Sequence, residues 1–137
     1  MGSGSGMLIN GKINAGIEGK AGEFGHMTID INGPVCKCGN RGCLEAMASG
    51  IAVLRDFASE LEKYPTHPLY ARRNYLEIDD LIQAYRDKDM IAVPIVNRAA
   101  YYVGIGVANV INFMDPEKVV LGGLFLRNFA GSYDIVN

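Results

Sequence analysis

Cys36-Lys37-Cys38-Gly39-Asn40-Arg41-Gly42-Cys43, preceded by Gly22-Glu23-Phe24-Gly25-His26, is the stretch on which the reading of this chain turns. All three cysteines of the protein fall inside it. Three thiols and one imidazole are the donor set of a closed, four-coordinate zinc site. Gly39 and Gly42 allow the loop to bend so that the thiolates converge on one ion, and His26 supplies the fourth ligand from the preceding turn. Four protein ligands leave no position for water, so such a metal is structural and not catalytic. The bland alternative is three free thiols, buried or reactive, beside a surface histidine. An odd number of clustered cysteines is a poor disulfide framework, and Cys36 and Cys38 are too close for an easy bridge. That usage suits a reducing cytoplasm.

Working outward, the 137 residues leave room for one modest domain. An apolar fraction of 49% and a charged fraction of 20% are those of an ordinary globular protein. A net charge of −2 offers no footprint for nucleic acid or an anionic membrane, so any DNA contact is expected outside this segment. No apolar run reaches the roughly 18 residues of a membrane span, and no signal peptide is visible.

Met1-Gly2-Ser3-Gly4-Ser5-Gly6 reads either as a flexible linker or as a glycine turn that admits a phosphate close to the backbone. Met7-Leu8-Ile9 is a short predicted strand, Asn10-Gly11 a hairpin turn, and Lys12 to Ala15 the return strand. Alternation over Met27 to Ile31 predicts a half-buried strand, and Asn32-Gly33-Pro34 turns the chain into the cysteine loop. From Cys43 the pattern is helical, with Ile51, Leu54, Phe57, Ala58 and Leu61 on one face. Thr66 to Tyr75 is an irregular connection in which His67 is most simply a surface residue. Asp79 is placed as the cap of a short helix through Arg86, with Leu81, Ile82 and Tyr85 inward. Pro94 belongs in the first turn of a long helix with an apolar stripe of Ile95, Ala99, Tyr102, Val103, Gly106, Val110 and Phe113. Gly104 and Gly106 inside it call for close backbone packing. Asp115-Pro116 ends the helix, and Lys118-Val119-Val120-Leu121 is a buried-type strand running into Gly122-Gly123. The tail from Phe125 has no clean period.

Carboxylates accept hydrogen bonds from hydroxyls, so Glu23 and Glu45, held near a histidine, suit a polyol or sugar. The competing reading makes Glu45 a first-turn helix glutamate favoured by the dipole, and Glu23 a solvated turn residue. Gly122-Gly123 at a strand end suits a nucleotide, with a plain turn as the alternative.

Ala21-Gly22-Glu23-Phe24-Gly25-His26, then Gly33, then Cys36-x-Cys38-Gly39-x-x-Gly42-Cys43-Leu44-Glu45 resembles the signature of the ROK family. That family comprises sugar kinases and sugar-responsive transcriptional repressors. The resemblance extends to the glycine turn with Asn10-Gly11, and to the long helix, its Asn-Phe-Met-Asp-Pro stop and the strand into Gly-Gly. It favours a native glycine turn over a linker.

The resemblance implies an α/β fold: part of an actin-like, hexokinase-type (ribonuclease H-like) domain with a zinc-binding loop, residues 1–137 being the C-terminal part of a sugar-binding domain. It implies that His26, Cys36, Cys38 and Cys43 bind a structural Zn2+, that Glu23, His26 and Glu45 contact a monosaccharide, and that Gly4, Gly6, Gly122 and Gly123 lie near a nucleotide if ATP is used. His26 would then use one ring nitrogen for the metal and the other for the sugar. The loop wording is similar to the xylose-operon repressor branch, which implies a cytoplasmic homodimeric regulator whose helix-turn-helix lies outside this chain. A sugar kinase fragment is the alternative, its catalytic aspartate lobe also lying outside. A zinc-stapled module without a ligand is a third.

Overall fold

The structure, a computed structural model, describes residues 3–123 and 127–129. Asn10 and Gly11 both take positive φ, +50° and +74°. That pair is what a two-residue hairpin turn with the twist of its strands requires. It joins β1 (Leu8–Ile9) to β2 (Lys12–Ile13), with Leu8 opposite Ile13 and Ile9 opposite Lys12. Both strands are shorter than the sequence predicts and are exposed. Among the described residues this hairpin is the whole of the sheet.

Two predicted strands are therefore corrected. Over Met27 to Ile31 the backbone N–H groups of Ile29 and Asp30 both donate to the Gly42 carbonyl, at 2.8 and 3.4 Å. The cysteine loop takes the place of a ladder partner, leaving one bridge, Thr28 with Cys43, and an exposed Ile31. Lys118 to Leu121 has strand-forming residues but no paired strand among the described residues, and Val120 is exposed. Most of the tail from Phe125 lies outside the described residues.

Four helices make the body: α1 (Leu44–Ala48), α2 (Gly50–Leu61), α3 (Ile78–Arg86) and α4 (Ala92–Met114). The helix predicted from Cys43 is broken at Ser49, whose extended backbone stops α1 and whose hydroxyl accepts from the Ala52 N–H at 3.2 Å to start α2. Ala52, Val53, Phe57 and Leu61 face inward, and Ile51 is exposed, contrary to the predicted face. Phe57 and Leu61, fully buried, each contribute about 2–3 kcal/mol by leaving water. They meet Leu44, Leu81, Val96 and Ala99 in one core. On α3 the cap is Glu77, whose N–H donates to the Asp80 carboxylate at 2.9 Å.

Pro94 sits in the first turn of α4, as predicted. The buried stripe runs from Ile95 through Val96, Ala99 and Ala100 to Gly106 and Val107. It then leaves the core, and Phe113 is exposed. At Gly106 a Cβ would stand 2.9 Å from Phe24 Cζ and 3.0 Å from Leu44 Cδ2. The missing side chain lets the 24–26 turn and α1 lie directly on α4. Asp115, with φ +43°, ends the helix.

His67 is not a surface residue. Its Nδ1 accepts from the Leu69 N–H at 3.1 Å and its Nε2 meets Asp89 Oδ2 at 2.8 Å, with the ring edge-on to Phe57. The other oxygen of Asp89 accepts from the N–H groups of Ile91 and Ala92 at 2.9 and 2.8 Å, capping α4. Burial disfavours the Asp89 anion, but His67 and those two N–H groups outweigh it and hold the carboxyl below its ordinary value. A depressed folded-state pKa means the unfolded chain binds the proton more tightly. The stabilisation is therefore present above the unfolded value near 3.9 and is lost as pH falls through the folded one. Asp89→Ala is expected to cost about 2–3 kcal/mol at neutral pH. Urea melts at pH 7 and in acid check this, and the gap between variant and parent should shrink in acid.

Candidate metal centre and ligand site

The loop from Gly33 to Cys43 is closed by its own backbone. Cys36 N–H donates to Asn40 O at 2.7 Å, Gly39 N–H to Cys36 O at 3.0 Å and Gly42 N–H to Pro34 O at 2.7 Å. Arg41 Nη1 adds a bond to Gly33 O at 3.0 Å. Gly42 adopts φ +68°, and a Cβ there would stand 1.5 Å from the Asp30 carbonyl oxygen. Glycine is required on both counts.

This closure brings the three sulfurs together with His26, which ends a 3-10 turn spanning Phe24–His26. Cys36 Sγ lies 3.6 Å from His26 Nδ1, and Cys38 Sγ lies 3.6 Å from Cys43 Sγ. One ligand atom from each of the four residues falls within 4.8 Å of all the others. Tetrahedral zinc with sulfur at 2.3 Å and nitrogen near 2.0 Å would have edges of about 3.5–3.8 Å. The donor set therefore fits a four-coordinate metal, and the Cys/His group could hold such an ion. Burial, reinforced by Cys38 and Cys36, pushes the Cys43 thiol up to about 12. Cys38 is exposed, and a backbone hydrogen bond at Asn40 leads the effects that draw its thiol down. Thiolates crowded in this way are the partners a dication stabilises.

With Nδ1 facing the sulfurs, His26 turns Nε2 outward, 3.7 Å from Glu23 Oε2. Glu23 is largely exposed. Glu45 stands in the first turn of α1, two residues after the last cysteine. Leu44 N–H donates to Met27 O at 2.9 Å, which ties the start of α1 to the end of the His26 turn. The Glu45 carboxylate accepts the backbone N–H of Ser3 at 3.0 Å. Sequence reasoning missed Ser3, because a backbone donor leaves no signature in residue type. It also missed Phe24, whose contact with Gly106 seats the turn; the helix glycine was the available signal.

Gly4, Gly6, Gly122 and Gly123 lie apart from the sulfur cluster, along an open cavity of about 760 Å³. Val103, Val107 and Val110 of α4 form another wall. Ser3 and Ser5 are pinned to the fold, Ser5 donating from N and Oγ to Gly22 O at 3.0 and 2.9 Å. No helix among the described residues is long and apolar enough to cross a membrane.

The ROK family model matches residues 1–128. A glucokinase of Halalkalibacterium halodurans is 37% identical over 126 residues, covering 89% of this chain and 38% of that protein. A xylose repressor of Bacillus subtilis is 37% identical over 120 residues, covering 88% of this chain and 28% of the repressor. Among solved structures, a ROK family transcriptional regulator described as a homolog of the E. coli MLC protein superposes with a TM-score of 0.85 at 33% identity. That match covers 98% of this chain and 34% of the other. The chain thus spans about a third of the length of the relatives it matches. It has the mixed helix and strand architecture of ROK hexokinases and repressors, an actin-like fold. By sequence over nearly its whole length, and by fold, the chain belongs to the ROK family.

Proposed function

We propose that this chain is the sugar-recognising portion of a cytoplasmic, dimeric ROK transcriptional repressor of carbohydrate metabolism, braced by one structural zinc ion. The observation that carries the reading is the two-sided histidine: Nδ1 of His26 faces the thiols while Nε2 faces Glu23. Zinc, when bound, supplies a fixed cation that holds the imidazole in one orientation and one tautomer. His26 is then left with Nε2–H as a donor to a sugar oxygen, while the carboxylates of Glu23 and Glu45 accept from sugar hydroxyls. A monosaccharide bound in one orientation would bias a regulator only through different affinities for its two states. Contact with DNA is assigned to chain outside these residues.

Glu45→Gln is expected to weaken monosaccharide binding about ten- to hundred-fold, since a hydrogen bond to a charged group contributes about 1.5–3 kcal/mol. Titration calorimetry over a panel that includes glucose and xylose reads the change. Equal affinities in parent and variant would remove the assignment.

A second reading, part of an ATP-dependent sugar kinase, draws on the glycine-lined cavity around Gly4, Gly6, Gly122 and Gly123. There the nucleotide would lie against bare backbone, and an aspartate base would come from chain beyond these residues. Sugar phosphate appearing when the chain is incubated with ATP and sugar would overturn the repressor reading.

A further inference from the structure

The segment Ser3 to Gly6 has two faces with different neighbours. On one face the carbonyl oxygens of Ser3 and Ser5 come so close to the site segment that a Cβ on Gly25 or Gly22 would stand 2.1 or 2.3 Å from them. On the other, Gly4 and Gly6 have nothing within 4 Å of a would-be Cβ and line the open cavity. The Ser3 N–H reaches the tip of Glu45 and donates to its Oε2 at 3.0 Å.

Glu45 is only half-buried and its side chain has several rotatable bonds, and a carboxylate that must meet a hydroxyl in one direction loses affinity to that freedom. A backbone donor on one oxygen removes it. We propose that the Ser3 N–H is a positioning group for Glu45, fixing the direction of its carboxylate and making that direction depend on the glycine segment that walls the cavity. The inference rests on the sugar-site reading of Glu45, and it adds a donor that touches no sugar. Gly25 belongs to the same device, because a side chain there would collide with the carbonyl of Ser3 and displace the residue whose N–H holds Glu45.

Two measurements decide it, one of which needs no sugar. In the 15N-labelled chain, the Ser3 amide should exchange with solvent about ten-fold faster in Glu45→Gln than in the parent, its charged acceptor having been neutralised. An unchanged Ser3 amide would overturn the proposal. For the second, glucose and xylose are titrated into Ser3→Pro, which lacks the N–H, and Ser3→Ala, which keeps it. Ser3→Pro should weaken binding about ten-fold, while Ser3→Ala restores it to within about two-fold of the parent. Equal loss in both variants, or in neither, would overturn the positioning role. A parent that binds neither sugar would count against the sugar-site reading, and the amide measurement would still decide whether Ser3 holds Glu45.

Discussion

Cys43→Ser is expected to empty the His26, Cys36, Cys38 and Cys43 cluster of metal and to destabilise the chain by about 3 kcal/mol or more. Loss of a group that merely supports a metal ligand already costs 10–100-fold in affinity, and loss of a ligand costs more. Cys43 is completely buried, and serine nearly matches its volume, so little of the effect comes from packing. Elemental analysis should show the metal-to-chain ratio falling from about one towards zero. The thermal midpoint should drop by roughly 10 °C for a domain of this size. A variant that keeps its metal, or a parent that carries none when prepared without chelator, would refute the metal centre. The consequences extend beyond the loop, because Leu44 follows directly and lies in the core, and Glu45 comes next.

Gly42→Ala is expected to be as damaging, for a different reason. Its φ of +68° costs an L-residue about 1–2 kcal/mol, and the added methyl would collide with the Asp30 carbonyl. That carbonyl already accepts the Gly33 N–H at 2.9 Å, so displacing it opens the turn that leads into the loop. Together these effects should cost about 3–5 kcal/mol in denaturant melts. Gly39→Ala is the control in the same loop. It also has positive φ, +93°, but open space around the new Cβ, so it should lose only the conformational part, about 1–2 kcal/mol. If the two variants were equally stable, the close approach to Asp30 would have no energetic weight.

Local chemistry accounts for what could be read from the sequence. Asn10-Gly11 declares its hairpin through the backbone freedom of two residues, and Pro94 declares a helix start because its missing N–H has no partner there in any case. The Cys/His cluster was legible because few residue types make a metal donor set. Elements whose form depends on a distant neighbour carry no such local signal. Met27 to Ile31 alternates like a strand, yet its backbone is claimed by Gly42. Lys118 to Leu121 is rich in β-branched residues, but composition does not provide a strand to pair with. Ser49 resembles any other polar residue in a helical run until its hydroxyl is seen on Ala52. His67 has no local sign of burial because its partner Asp89 is 22 positions away. The candidate ligand site follows the same division. Glu23, His26 and Glu45 carry their chemistry in their side chains, whereas the Ser3 amide does not.

The break at Ser49 also has a mechanical side. Had α1 and α2 formed one rod, any tilt of the outer helix would have swung Glu45 like the end of a lever. The extended backbone at Ser49 instead separates the two, leaving α1 a five-residue block seated on α4 and joined to the cysteine loop through Cys43. The backbone that carries Glu45 is thereby placed by the cysteine loop and α4, independently of the direction in which α2 leaves Ser49.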